Sequence, residues 1–191
     1  MRSIDVFREI ITGDFDNSAQ VAQEAAAGKQ VHPFARHVNR IADAKILNDP
    51  LREEPRSHFW VLEESYYEYP GKPMDIKPYL FRFSQGAGNT VVLQVYQFPQ
   101  RLKKEELKNS NEALKMDFSE MVPSPTFKGA VYSYNKDAGT FTTTAPNDLG
   151  NGMTFTLIET LSKDKLVVME LLEKEGRRLT PYDTPIVYER R

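Results

Sequence analysis

The chain of 191 residues contains no cysteine. That removes disulfides, thiol nucleophiles and thiolate metal sites, and it fits a reducing compartment, so the cytoplasm is the expected location. No apolar run comes near the roughly eighteen residues of a membrane-crossing helix. At the N-terminus, Arg2, Asp5, Arg8 and Glu9 break any signal-peptide core, and a soluble protein is expected. An excess of one charge is missing too. The 25 basic residues are scattered among 27 acidic ones, for a net charge of -2, so no positive face for nucleic acid is expected. The signatures G-x-S-x-G, H-E-x-x-H, the P-loop and the dinucleotide fingerprint do not occur, and GAGN at 86–89 is too short to cradle a phosphate. Histidine is scarce: His32, His37 and His58. The first two, five apart, fall on opposite faces of a strand, so no metal site is expected.

What is present is an ordinary globular composition, 40% hydrophobic and 27% charged, in a length that suits one domain over 1–191. Residues 3–12 place Ile4, Phe7, Ile10 and Ile11 on one helical face, and Gly13 supplies a stop. Asp16, Asn17 and Ser18 offer caps for a second helix through SAQVAQEAAAG, which Gly28 ends. Residues 1–28 therefore read as N-terminal helices around a helix-turn-helix corner, with Phe15 as a staple into the core.

From residue 31 the pattern alternates and is punctuated by Pro, Gly, Asn and Asp. Strands are expected at 33–42, 58–69, 77–84 and 89–98, then, after a helical interlude near 101–120, in KGAVYSY, GTFTTTA, MTFTLIETL, KLVVMELLE and PIVYERR. Turn chemistry separates them at PGKP (70–73), QGAG, NKDAG, SKDK and EKEG. Short connections make neighbours antiparallel, and closing the meander removes exposed edges. The expected fold is mainly β: an antiparallel, lipocalin-like (calycin-type) β-barrel over 31–191, wide enough for one small ligand.

HFWVLEESYYEY at 58–69 carries a carboxylate after apolar residues on each face, at Glu63 and Glu64. One that points inward needs a partner, and Arg36, Arg40 and Arg82 lie on neighbouring strands. Tyr66, Tyr67, Tyr69, Tyr79 and Tyr96 gather in the same region near Trp60, an aromatic set suited either to gripping a large flat ligand or to packing a β core.

GDFDNSAQV at 13–21 resembles the G-x-F-x-N-x-x-Q-A corner of the CpcT/CpeT-type chromophore lyases, which attach linear tetrapyrroles to phycobiliproteins. Glu63, Glu64, Ser65 and Tyr66, then Pro78, Tyr79, Leu80, Phe81 and Arg82, resemble that family's E-Q-A-Y strand and P-Y-R-x-R turn. Gly129, Val131, Phe141 and Thr144 follow its later hairpin. The resemblance implies a bilin held in the cup without a nucleophile of the lyase's own, and a client protein whose cysteine receives it. It implies ligand contacts from Arg40 and Arg82 to carboxylates, from Glu63 to a ring nitrogen or to an arginine, and from Tyr66, Tyr79 and Tyr96 along the wall. No catalytic residue, metal or cofactor beyond the bilin is assigned. Three positions depart from the pattern: Leu80 replaces an arginine, Glu64 a glutamine and Ala130 a cysteine. The family's later aspartate, arginine and glycine run also lacks an equivalent around Glu170 to Glu173, and the arginine lost at Leu80 weakens the expectation of a two-arginine clamp on two propionates. The alternatives are a non-enzymatic lipocalin-like carrier or sensor of a hydrophobic small molecule, and an interaction barrel filled by its own side chains. A homodimer is left open.

Overall fold

The structure is a computed structural model that describes residues 2–52, 57–69 and 71–191. The expected PGKP turn begins at Pro70, outside the described residues. Helix α1 (Ser3–Ile11) leads into strand β1 (Gly13–Asp16), and helix α2 (Ser18–Ala26) leads into β2 (Phe34–Ile41). A two-residue strand β3 (Ile46–Leu47) precedes the long strands β4 (His58–Glu68), β5 (Asp75–Gln85) and β6 (Thr90–Gln97). Short strands β7 (Met116–Asp117) and β8 (Val122–Pro123) follow, then β9 (Ala130–Asn135), β10 (Thr140–Gly150), β11 (Met153–Leu161) and β12 (Lys165–Lys174), with β13 (Arg177–Arg178) and β14 (Ile186–Arg190) last.

Among the described residues the circuit β1–β2–β4–β5–β6–β9–β10–β11–β12–β14 returns to β1, every neighbour antiparallel, and forms a closed ten-stranded barrel. The expected barrel and short N-terminal helices are present. The corner at residues 13–17 differs from expectation. Gly13–Asp16 is a barrel strand, with Phe15 opposite His37 on one side and Arg190 on the other. Without it β2 and β14 would have open edges. The interlude near 101–120 holds only single 3-10 turns at Lys104–Glu106 and Phe118–Glu120 and the short β7.

Helix α1 plugs one end of the barrel. Phe7, fully buried, meets Phe83 at 4.8 Å, Tyr132 at 5.0 Å and Phe141 at 4.8 Å between ring centroids. Burial of such a ring contributes about 2–3 kcal/mol. Arg190 secures the plug: its guanidinium donates to the carbonyls of Ile10 at 2.5 Å and Thr12 at 2.6 Å while lying 4.5 Å from the Phe15 ring centroid. The last helical carbonyls thus gain donors they lack within the helix. Gly13 leaves room for this arm, since a Cβ there would stand 2.2 Å from Arg190 Nη1 and φ is +151.

A second core lies outside the wall. Trp60, Leu62, Leu80 and Tyr96 point outward from β4, β5 and β6 and are covered by Leu107, Leu114, Met116 and Met121. Both faces of β4 are therefore buried from His58 to Ser65. Such a strand shows its period of two but not which face is inside.

Candidate functional site

Inward positions change character along the barrel axis. Near α1 they are Phe59, Val61, Phe83, Leu93, Phe141 and Leu161, all buried. Toward the far end the same faces carry Tyr67, Tyr79, Phe81, Val95, Phe155, Val168 and Leu172, which are half-buried or exposed. Glu170, opposite Leu157 on the interior face, is exposed to solvent, yet burial by surrounding protein raises its carboxyl pKa, and it senses His37, Glu63 and Lys77. Enclosure and exposure coincide only where the ring of strands encloses open space. The half of the barrel away from α1 is its open end, where interior-face positions reach solvent, and we read it as a cup.

Its floor is polar. His37 Nδ1 lies 3.0 Å from Glu63 Oε1 and 3.0 Å from Ser65 Oγ, and the Ser65 hydroxyl donates to Glu63 Oε1 at 2.7 Å. Burial opposes charge on both His37 and Glu63, but their mutual attraction outweighs it: the imidazole pKa is raised and the carboxyl pKa lowered, as for an ion pair. This trio is not a nucleophilic relay. Serine and glutamate share one ring nitrogen, and the serine proton is engaged by the carboxylate rather than by the histidine. Across the floor the Tyr132 hydroxyl donates to Glu159, whose carboxyl burial pushes up to about 7. Burial, with Glu170 next in effect, pushes the Tyr79 hydroxyl up to about 12.

The expected ligand-binding residues are divided by the wall. Glu63 and Tyr79 sit opposite each other on the interior face. Arg40, Tyr66, Arg82 and Tyr96 do not join them; their side chains lie on the outer face. Arg40 pairs there with Asp14, as does Arg36 at 2.5 Å. Tyr66 donates to Glu64 at 2.6 Å. Arg82 donates to Gln94 at 2.5 Å and stands 5.3 Å from the ring of Tyr96 and 5.9 Å from that of Trp60. The partner of the buried carboxylate is thus His37 and none of the expected arginines. The missed residues His37, Lys77, Glu159 and Glu170 carried a partial signal. His37, Ser65 and Glu63 occupy same-face positions of paired strands, but only once the register is known.

Two further recesses exist at the surface. One of about 300 Å³ adjoins the rim of the cup, lined by His32, Pro33, Tyr69, Pro181 and Tyr182 among others. The other, about 510 Å³, is a shallow depression over Asp5, Arg8, Glu9 and Thr12 of α1 and its end, away from the cup. Among the described residues no group of three or more His, Cys, Asp or Glu side chains could hold a metal ion, and no helix is long and apolar enough to cross a membrane.

Fold and site together define a lipocalin-like antiparallel barrel, plugged at one end by α1 and open to solvent at the other, with an acidic polar floor between. No protein-family model matches the chain, and no curated protein sequence does. Among solved structures the chain is similar to the T-type phycobiliprotein lyase CpeT from Prochlorococcus phage P-HM1, with a TM-score of 0.54 and 11% identity over 98% of this chain and 97% of that one. At that identity the likeness is one of fold.

Proposed function

We propose that the chain holds a flat, largely apolar chromophore, a linear tetrapyrrole or a molecule of like shape, in the open half of its barrel. The observation that carries this reading is the environment of Glu170, enclosed by strands and still open to solvent. The rings of Tyr67, Tyr79, Phe81 and Phe155 offer apolar faces to such a guest. Glu63 and Glu170 offer acceptors for ring N–H groups, and Lys77 at the mouth a cation for a carboxylate. A phycobiliprotein lyase with this fold over nearly its whole length lends further support.

Two finer versions differ in the fate of the bound guest. As a carrier, the protein releases it unchanged. As a chromophore lyase, it presents the guest to the cysteine of a client and works by positioning and water exclusion, with no nucleophile of its own. The outward placement of Arg82 and Arg40 favours the carrier, because neither guanidinium can then clamp a propionate within the cup.

The test is a titration with phycocyanobilin or biliverdin followed by visible absorption. Binding shifts and intensifies the band, and Tyr79→Ala weakens it at unchanged melting temperature, since Tyr79 is 36% exposed and supports little of the core. An unchanged band with both bilins refutes the reading. Adding a cysteine-bearing acceptor then separates the versions: a denaturation-resistant coloured adduct marks a lyase, and its absence a carrier.

A further inference from the structure

The cup, on whose reading as a chromophore site this inference rests, also carries information about the charge of its guest. The titratable groups facing the hollow are His37 on β2, Glu63 and Tyr67 on β4, Asp75, Lys77 and Tyr79 on β5, Tyr132 on β9, Glu159 on β11, Glu170 on β12 and Tyr188 on β14, with Tyr182 from the preceding loop; at the mouth, Lys174 of β12 and Arg177 of β13, opposite each other, share the face of Glu170 and Leu172. Of the four carboxylates, Asp75 is at the rim and Glu63, Glu159 and Glu170 surround the space within, against one imidazole that Glu63 already engages at 3.0 Å. Lys77 is at the rim, 3.5 Å from Asp75 and 5.4 Å from the Tyr67 ring. Arg190 faces inward only at the plugged end, where it is committed to the carbonyls of α1. A carboxylate that passes below the rim meets like charge and no free guanidinium, which costs both desolvation and repulsion.

A second observation, independent of the acidic side chains, points the same way. Thr143 is 6% exposed, faces inward opposite Glu159, and its Oγ1 bonds no protein group. Asn39 is fully buried opposite Glu63; its amide nitrogen donates to the Ile11 carbonyl at 3.1 Å, which fixes the orientation of the amide, and its Oδ1 also bonds no protein group. Buried polar atoms are ordinarily satisfied. A carbonyl oxygen accepts only, so Asn39 Oδ1 calls for a donor, while the Thr143 hydroxyl can take either role.

We propose that the cup takes a flat aromatic guest whose buried end is rich in N–H donors and carries a positive charge, with any carboxylates confined to the rim, at Lys77, Lys174 and Arg177. A protonated tetrapyrrole with esterified or outward-facing propionates has this chemistry. A dianion buried tail-first does not.

The experiment compares three probes on the full chain at pH 8: biliverdin, its dimethyl ester, and the cationic planar dye acridine orange. Dissociation constants are read from absorption, and folding is checked by melting. The ester should bind about tenfold tighter than the diacid, since it removes like charge from a partly dry site. Glu170→Lys should reverse that order, and Glu170→Gln, the milder change, should narrow it. Tighter binding of the diacid by the wild type overturns the proposal, as does equal binding of both bilins with neither Glu170 variant altering the ratio; in both cases the cup itself stands. If acridine orange binds and neither bilin does, the charge selection stands and the tetrapyrrole reading fails. If none of the three binds, both fall.

Discussion

Replacing Glu159 by glutamine removes an ionisable group from the floor of the cup and should make the protein more stable, by an amount that grows as pH rises from about 5 to about 7 and then levels off. Burial raises the Glu159 carboxyl from 4.5 to about 7, and Glu63 adds in the same direction while the Tyr132 hydroxyl opposes it. In the unfolded chain the same group titrates as an ordinary glutamate. Between those two values the folded protein keeps a proton that the unfolded chain has released, so stability falls as pH rises through the window. The full loss, reached above the folded value, is about 3 kcal/mol. Glutamine cannot ionise, and its Oε1 can still accept the Tyr132 hydroxyl. The two proteins should therefore agree within about 1 kcal/mol at pH 5, and Glu159→Gln should lead by up to about 3 kcal/mol at pH 8. His37, whose pKa is raised from 6.5 in part by Glu159, loses its own contribution only at higher pH, above 6.5, so the difference at pH 8 reports Glu159 together with its coupling to His37. Urea unfolding followed by the fluorescence of Trp60, the single tryptophan and 1% exposed, measures it. A gap that is the same at pH 5 and pH 8, or that favours the wild type at pH 8, refutes the reasoning.

Two other substitutions test the placement of residues relative to the wall. Arg82→Ala removes contacts to Trp60, Tyr96 and Gln94 on the outer face and should cost about 1–2 kcal/mol while leaving bilin affinity unchanged; weakened binding at unchanged stability would put Arg82 back in the site. Arg190→Met keeps the apolar stem over Phe15 but strips donors from the carbonyls of Ile10, Thr12 and Lys163. It should destabilise by about 2–3 kcal/mol in urea melts, and a loss below about 0.5 kcal/mol would show that water replaces the guanidinium there.

Much of the architecture was legible because alternation and turn residues are local signals. MTFTLIETL is strand β11 from its first residue to its last, and the other expected long strands differ from the observed ones by a few residues at their ends. Strand β1 was not legible. GDFD is short, begins with glycine and contains two aspartates, so nothing in its own letters opposes the corner that the neighbouring helices suggest. The candidate site was half legible for a related reason. Period two separates Glu63 from Glu64 and Arg82 from Phe83, but the assignment of inside and outside came from Leu107, Leu114, Met116 and Met121, which bury the outer face from far along the chain.

The sequence by itself determined that this protein would be mostly antiparallel strand behind two short helices, because backbone propensity, alternation and turn chemistry act over a few residues at a time. Only the tertiary structure decided that β1 closes the ring, that α1 fills one end and leaves interior positions at the other open to solvent, and that His37 rather than an arginine meets Glu63. Closure, enclosure and pairing depend on residues brought together across the whole chain. A side chain's surroundings, and with them its charge and its partner, are set by what the opposite wall supplies.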